Sequence, residues 1–418
     1  MAGQNSSIPL RIAIVGQGYV GLPLAKAFVE AGTFVAGIES NPRLATQLSS
    51  GISHIEDISN AQLSSMLETN RYIVENKVEV ISSCQVVIIC VPTPLDDKGS
   101  PDLSILIQAV KDVSPHLSRE TILISESTSF PGTLRNLITP IVLSLSKFGN
   151  EVLLATAPER VDPGNLQWNQ RNTPRLIGGL NEKSTSRAVE VYSQISSSLQ
   201  VVSSPEIAEA AKLLENSFRL VNIAFINEFA QSMANLGINA LEVIEAANTK
   251  PYGFMRFTPG LGAGGHCIPV DPVYLSDFFS KTNAEHQLLK SAISSNREAF
   301  KFVVQRVRSL TIQPKKILLI GLSYKEGISD LRESPAEQVF RELDSEYEVD
   351  FYDERILSIE NIKRSEALEG FDLVLILVPQ KNLNLETLVS TNTIVWNCTG
   401  TLITVPGVTN IYDGSGND

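Results

Sequence analysis

One thiol stands in a setting built for chemistry. The segment PGLGAGGHCIPVD, Pro259 to Asp271, places four glycines ahead of Cys267. Glycine loses the most chain entropy on folding and buries no side chain, so this density suits backbone wrapped closely about a ligand with one thiol projecting. A thiolate there can add to a carbonyl carbon as a nucleophile. Asp271, four residues on, can order a water or manage a proton. The plain alternative is a glycine-rich turn with an incidental thiol and Asp271 as a helix cap before Pro272. Lys212, Asn216 and Arg219 are spaced i, i+4, i+7 in a helical pattern and share one stripe. A lysine and an amide facing the same way can stabilise an oxyanion at a reacting carbon. A solvated helix face would have the same spacing, but Leu213, Leu214, Phe218, Leu220 and Val221 crowd around it.

Two further polar clusters end apolar runs. Ser125-Glu126-Ser127-Thr128 follows ILIS, and Ala157-Pro158-Glu159-Arg160 follows VLLAT. Ligands of open α/β sheets bind beyond the carboxyl ends of the strands, so Thr128 and Glu159 are placed for catalysis or substrate contact. Glu159 and Arg160 can equally be a local ion pair.

Gly16-Gln17-Gly18-Tyr19-Val20-Gly21 follows an apolar run directly and opens a helical pattern, which is the context a dinucleotide fingerprint needs. Its glycines permit a tight turn, close approach to a pyrophosphate and close helix packing, with free N–H groups at the helix start. Glu39, 18 residues after Gly21, can accept hydrogen bonds from adenosine ribose hydroxyls and would repel a 2′-phosphate. NAD is therefore expected rather than NADP. Arg43 nearby leaves NADP open or stacks on adenine, and a flavin or a purely structural turn are the other readings.

The elements that must carry these groups follow from patterning. Apolar runs Arg11–Val15, Phe34–Glu39, Gln85–Val91, Thr121–Ser125 and Glu151–Thr156 alternate with helical stretches, which predicts a doubly wound parallel sheet covered on both faces. Ser204 as cap and Pro205 as first residue open a helix that meets no glycine or proline until Gly237, a length of about 45 Å. KKILLIGL, EVDFYDE, FDLVLILVP and TIVWN then repeat the α/β pattern from Lys315. Two Rossmann-like domains joined by a helical middle domain are expected, with bounds 1–203, 204–310 and 311–418.

The composition agrees. At 418 residues the chain exceeds one ordinary core, and 43% hydrophobic with 19% charged residues describes a globular protein. A net charge of -12 leaves no basic excess for phosphate-backbone binding, so no nucleic-acid partner is expected. No apolar run approaches the ~20 residues of a membrane span, and the start lacks a secretory pattern, so a cytoplasmic protein is expected. Cys84, Cys90 and Cys398 border apolar runs and read as core, and neither a disulfide framework nor a metal site is indicated.

GQGYVGLPLA, CVPTPLDDKGSPD, SESTSFPGT, APERVDPGN, AKLLENSFRLVNIAFINE, PGLGAGGHCIPVDP and GLSYKEGISDLRESPA stand in the order found in the UDP-glucose/GDP-mannose dehydrogenase family. The sequence resembles that family over nearly its whole length. The resemblance implies two successive oxidations of a sugar C6 hydroxymethyl by NAD, with Cys267 attacking the intermediate aldehyde. Lys212 and Asn216 would stabilise oxyanions, while Thr128, Glu159 and Asp271 would order the hydrolytic water and move protons. Cofactor contacts are implied for Gly16, Gly18, Tyr19, Val20, Gly21, Glu39, Arg43, Pro92, Thr93, Thr128 and Arg332. Substrate contacts are implied for Glu159, Arg160, Lys212, Asn216, Arg219, Phe257, Gly260, Gly264, His266 and Lys325. A homodimer through the middle helices is implied too, with Lys250 or Arg256 serving a neighbouring subunit's substrate.

Within the family, Glu159-Arg160 followed by Val-Asp-Pro-Gly-Asn, Arg219 and His266 resemble the N-acetylhexosamine branch. UDP-glucose is the alternative substrate. A silent sugar-nucleotide-binding regulator and a single-step 3-hydroxyacid dehydrogenase are the readings from other classes. NADH released per sugar separates the classes: two for the four-electron enzyme, none for the regulator and one for the single-step dehydrogenase.

Overall fold

The computed structural model describes residues 10–161, 165, 167–282, 285–360, 362–401 and 403–414. Residues 162–164 of the APERVDPGN segment thus lie outside the described residues. The chain divides into two compact units, Met1–Leu214 and Glu215–Asp418.

The first unit is built on one sheet. Its strands are β1 (Arg11–Val15), β2 (Phe34–Ile38), β3 (Tyr72–Glu75), β4 (Val86–Ile89), β5 (Ile122–Ser125), β6 (Leu153–Thr156), β7 (Arg175–Gly179) and β8 (Leu199–Val201). They lie side by side in the order β3-β2-β1-β4-β5-β6-β7-β8. All these pairings are parallel except β6 with β7. The five expected strands form, each ending within two residues of its predicted limits. Their apolar runs are buried on both faces: Ile12, Ile14, Val86 and Ile88 pack with the helix Gly21–Glu30, while Ala13, Val15, Val87 and Ile89 face a second cluster. Strand order reverses between β1 and β4, so the crevice beyond their carboxyl ends is where a ligand of such a sheet sits. The glycine turn follows β1, and Pro92 and Thr93 follow β4.

The long helix runs Pro205–Asn235, and the division between the units falls within it. It stops where predicted. Gly237 takes a φ of 72°, and the Ile238 N–H reaches back to the Met233 carbonyl at 2.9 Å, closing the last turn.

The second unit contains a five-stranded parallel sheet, in the order Glu348–Tyr352, Lys316–Ile320, Leu373–Ile376, Ile394–Asn397, Val408–Asn410. One face of it packs on the helical region through Ala230, Phe300, Val303 and Val307. Here too the order reverses beside the first strand in sequence. GLSYKEG, with Lys325, follows that strand. The chain is therefore two doubly wound α/β sheets with a helical region between them in sequence.

Candidate functional site

In the first unit each fingerprint glycine has its own reason. A Cβ on Gly16, whose φ is 90°, would lie 2.6 Å from the Cys90 carbonyl oxygen, and one on Gly21 would lie 1.9 Å from the Gly16 oxygen. Packing therefore requires both. Gly18 has no atom within 4 Å of such a position, so the turn is open on the side a pyrophosphate would approach. Val20 precedes the helix Gly21–Glu30, so the glycine turn runs directly into a helix start. The Glu39 carboxylate lies over the turn, accepting from the Gln17 N–H at 3.3 Å and the Asn41 N–H at 3.0 Å. Arg43 lies exposed on the next helix, and Tyr19 donates to Glu56 at 3.0 Å. Thr128 is half-buried just beyond β5. These residues suit NAD: an open glycine turn at a helix start, with a carboxylate where ribose hydroxyls would lie.

Beyond β5, β6 and β7 the same unit holds a buried charge cluster. In place of the alternative of a local Glu159–Arg160 pair, the described residues show the Arg160 guanidinium donating to the Pro174 carbonyl at 2.7 Å. The Glu159 carboxylate instead accepts the Arg160 and Val161 N–H groups at 2.7 and 2.6 Å, and the Gln170 amide at 2.9 Å. The Arg175 guanidinium lies 3.7 Å from it. Burial would raise the Glu159 carboxyl, but Arg175, Gln170 and the Val161 N–H bring it below its ordinary value. Its backbone carbonyl accepts from the Lys212 ammonium at 2.6 Å. The structure thus brings Glu159 and Lys212 together, through the peptide rather than the carboxylate.

In the second unit the thiol loop is held by neutral groups. Asn227 accepts the Gly260 N–H at 2.7 Å, and Asn296 accepts from Ala263 N at 2.7 Å while donating to Ala263 O at 3.0 Å. The Tyr412 hydroxyl donates to the Gly260 carbonyl at 3.0 Å, and the Gly265 N–H to the Arg332 carbonyl at 3.1 Å. A Cβ on Gly264 would come within 2.6 Å of the Tyr324 Cβ, and one on Gly265 within 2.8 Å of the Tyr324 ring. On this frame Cys267 is half-buried, its sulfur 3.1 Å from His266 Nδ1. The Asp271 N–H bonds the Cys267 carbonyl at 2.9 Å, opening the helix Asp271–Ser280. Asn216 donates to the buried Asp271 carboxylate at 2.5 Å. Cys267, His266, Asp271 and Asn216 are therefore one local group. Cys84, Cys90 and Cys398 are buried core residues, as expected.

The remaining expected residues are more scattered. Arg256 is exposed, paired with Glu245 at 2.7 Å, and Lys250 stacks over Tyr252 at 5.1 Å. Phe257 meets the Phe218 ring at 6.3 Å, Arg219 is exposed, and Lys325 is half-buried. Arg332 grips Asp330 at 2.5 Å; burial would raise that carboxyl, but the guanidinium and the Arg332 N–H take it below its ordinary value. Sequence reasoning missed Glu126, Gln170, Arg175, Asn227, Asn296 and Tyr324. A carboxylate directly after an all-apolar strand, and an arginine heading RLIGG, were the only signals present.

Three family models match consecutive parts of the chain. They describe the UDP-glucose/GDP-mannose dehydrogenase family's NAD binding domain at residues 10–196, its central domain at 206–298 and its UDP binding domain at 318–397. A UDP-N-acetyl-D-mannosamine dehydrogenase of Pyrococcus horikoshii is 36% identical over 78% of this chain and 79% of its own length. A UDP-N-acetyl-D-glucosamine 6-dehydrogenase of Pseudomonas aeruginosa is 33% identical over 82% of each. The solved structure of a UDP-D-ManNAc dehydrogenase from Pyrococcus horikoshii superposes with a TM-score of 0.86 at 31% identity, covering 97% of this chain and 100% of that one.

Proposed function

The chain belongs to the UDP-glucose/GDP-mannose dehydrogenase family of NAD-dependent oxidoreductases, and we propose that it converts a UDP-N-acetylhexosamine to its UDP-uronate through a thioester on Cys267. The observation that carries this reading is the half-buried Cys267 beside His266, on a loop whose next helix begins with Asp271 held by Asn216. NAD, when bound, accepts one hydride in each of the two oxidations. Gly16, Gly18, Tyr19, Val20, Gly21, Glu39, Arg43, Pro92, Thr93, Thr128 and Arg332 are the residues we assign to hold it.

The residues' own work follows from their chemistry. Lys212 and Asn216 stabilise negative charge on the C6 oxygen, in the alkoxide and again in the tetrahedral adducts. The Cys267 thiolate adds to the aldehyde carbon, forming a C–S bond and giving a thiohemiacetal. After the second oxidation the thioester is attacked by water, which Thr128, Glu159 and Asp271 order; the C–S bond breaks and the carboxylate leaves. Overall, one alcohol, two oxidised NAD and one water give a carboxylate, two reduced cofactors and three protons. Arg160, Arg219, Phe257, Gly260, Gly264, His266 and Lys325 contact the sugar nucleotide, with Arg219 and His266 favouring an acetamido sugar. The domain bounds 1–203, 204–310 and 311–418 and a cytoplasmic location belong to the same reading.

A homodimer is part of it. Phe218 and Phe225 on the long helix and Leu236 just after it are 51%, 64% and 69% exposed, an apolar stripe that a second copy would cover. Lys250 and Arg256 would then reach the partner's substrate.

Two measurements test the reading. UDP-N-acetylglucosamine, UDP-N-acetylmannosamine and UDP-glucose are each incubated with NAD; an acetamido sugar should yield two NADH per uronate, and turnover of UDP-glucose far above both would overturn the branch. Cys267→Ser should lower uronate release by about 10³-fold or more and leave an aldehyde or stalled adduct visible by mass spectrometry. Undiminished uronate would remove Cys267 from the mechanism.

A further inference from the structure

The charge cluster beyond β5, β6 and β7 extends further than the groups given a task above. Glu126 and Arg175 are only 2% and 4% exposed. Arg175 Nη1 donates to Glu126 at 2.8 Å, and its Nη2 donates to the Gln170 carbonyl oxygen. Gln170 passes its amide on to Glu159 at 2.9 Å. On the other side, the Tyr192 hydroxyl donates to the same Glu126 oxygen, and the guanidinium lies 4.5 Å over the Tyr192 ring. A continuous chain of bonds thus runs Tyr192, Glu126, Arg175, Gln170, Glu159.

The direction of that chain points to its use. Both Glu159 oxygens are engaged, one by the N–H groups of its own turn and one by Gln170 with Arg175 nearby. A carboxylate so occupied fixes the shape of the 159–161 turn, and the turn aims the Glu159 carbonyl at the Lys212 ammonium, 2.6 Å away. We infer that Arg175, with Glu126 and Gln170 behind it, is a positioning residue for Lys212, acting through the Glu159 turn. The inference rests on the role proposed above for Lys212.

The electrostatics agree with the geometry. The titratable or charged groups facing Glu126 are Arg175, Glu159, Tyr192 and Cys90. Burial lifts the Cys90 thiol and the Tyr192 hydroxyl well above their ordinary values, so both stay neutral. Burial also lifts Glu126, to about 7, and its Oε2 is buried with no hydrogen-bond partner, a place for the proton. When Glu126 holds that proton, Arg175 and Glu159 balance one against one. A two-pronged donor suits this task, because one guanidinium must reach two different side chains in fixed directions while an ammonium cannot span both.

The test is a double-mutant cycle on the full-length protein with NAD and its UDP-sugar. Arg175→Lys should lower kcat about tenfold or more with both KM values within about twofold, since misplacement of a reacting group by a fraction of an ångström acts on the chemical step. In a Lys212→Ala background the same substitution should cost less than about twofold, because the group it positions is gone. Gln170→Leu breaks the same chain without altering a charge and should repeat the pattern, keeping the test sound where Arg175→Lys folds poorly. Equal losses from Arg175→Lys and Gln170→Leu with and without Lys212, or an unchanged kcat for both in the wild-type background, would overturn the positioning role. Full activity of Lys212→Ala alone would instead sink the role of Lys212 in the proposed function.

Discussion

In the first unit Lys212 is held by a buried row of charges, whereas in the second Cys267 is held by uncharged amides, a tyrosine hydroxyl and the absence of side chains. The row Glu126–Arg175–Glu159 draws its directionality from charge-assisted bonds, which stay strong because the groups are shielded from water. The loop Pro259–Asp271 draws its shape from Asn227, Asn296 and Tyr412, and from glycines where any Cβ would strike Tyr324. The difference suits the groups that are held. A cation is placed by an acceptor and tuned by neighbouring charge, while the nucleophile proposed at Cys267 needs a fixed backbone and room for the incoming carbon. The two regions should therefore fail differently: the first through charge and pH, the second through steric fit.

The sharpest contrast comes from Gly264→Ala. Its Cβ would sit 2.6 Å from the Tyr324 Cβ and 2.8 Å from the Glu333 carbonyl, neither of which is the end of a flexible side chain. The loop must shift, and kcat should fall about 10²-fold. An intact kcat would mean that the loop's shape does not depend on the missing side chain. Next in size is Asn296→Leu, which strips Ala263 of both its donor and its acceptor partner at a buried place. Unfolding free energy should fall by about 1–3 kcal/mol, read by urea titration. A loss below a few tenths would mean that the loop holds itself.

Much of this was legible beforehand, and the failures share a cause. The five apolar strands, the helix from Pro205 to the Gly237 stop and the glycine loop announce themselves locally, through runs and spacings a few residues long. Strand β7 did not, because RLIGG opens with an arginine and closes with two glycines. Arg175 belongs in a buried strand only once Glu126, 49 residues away, is beside it. Asn227 and Asn296 were equally invisible: each lies 33 residues from its loop partner, and an asparagine in a helix looks the same whether it faces water or replaces a strand's hydrogen bonds. Glu159 was singled out by its place after a strand, but which of its oxygens would face Lys212 depends on a turn whose bonds no spacing encodes.

The finest division between the two regions is in how stability responds to pH. Burial lifts Glu126 from 4.5 to about 7, so between those values the native state keeps a proton that the unfolded chain has released. Stability from this group is then fully present below 4.5 and is lost as pH rises through 7, with a slope of at most about 1.4 kcal/mol per pH unit. Glu126→Gln cannot ionise, and its amide matches the neutral acid in shape. Its unfolding free energy should therefore decline less steeply than the wild type's across that interval. Glu209, lifted to about 7 by burial as well, contributes its own decline to both proteins, so the difference between the two curves isolates Glu126. Gly264→Ala, measured alongside, should run parallel to the wild type at every pH, because no ionisable group enters or leaves its surroundings. Parallel curves for Glu126→Gln would mean that the carboxyl is already ionised in the folded protein, and that Arg175 divides its charge between two anions throughout.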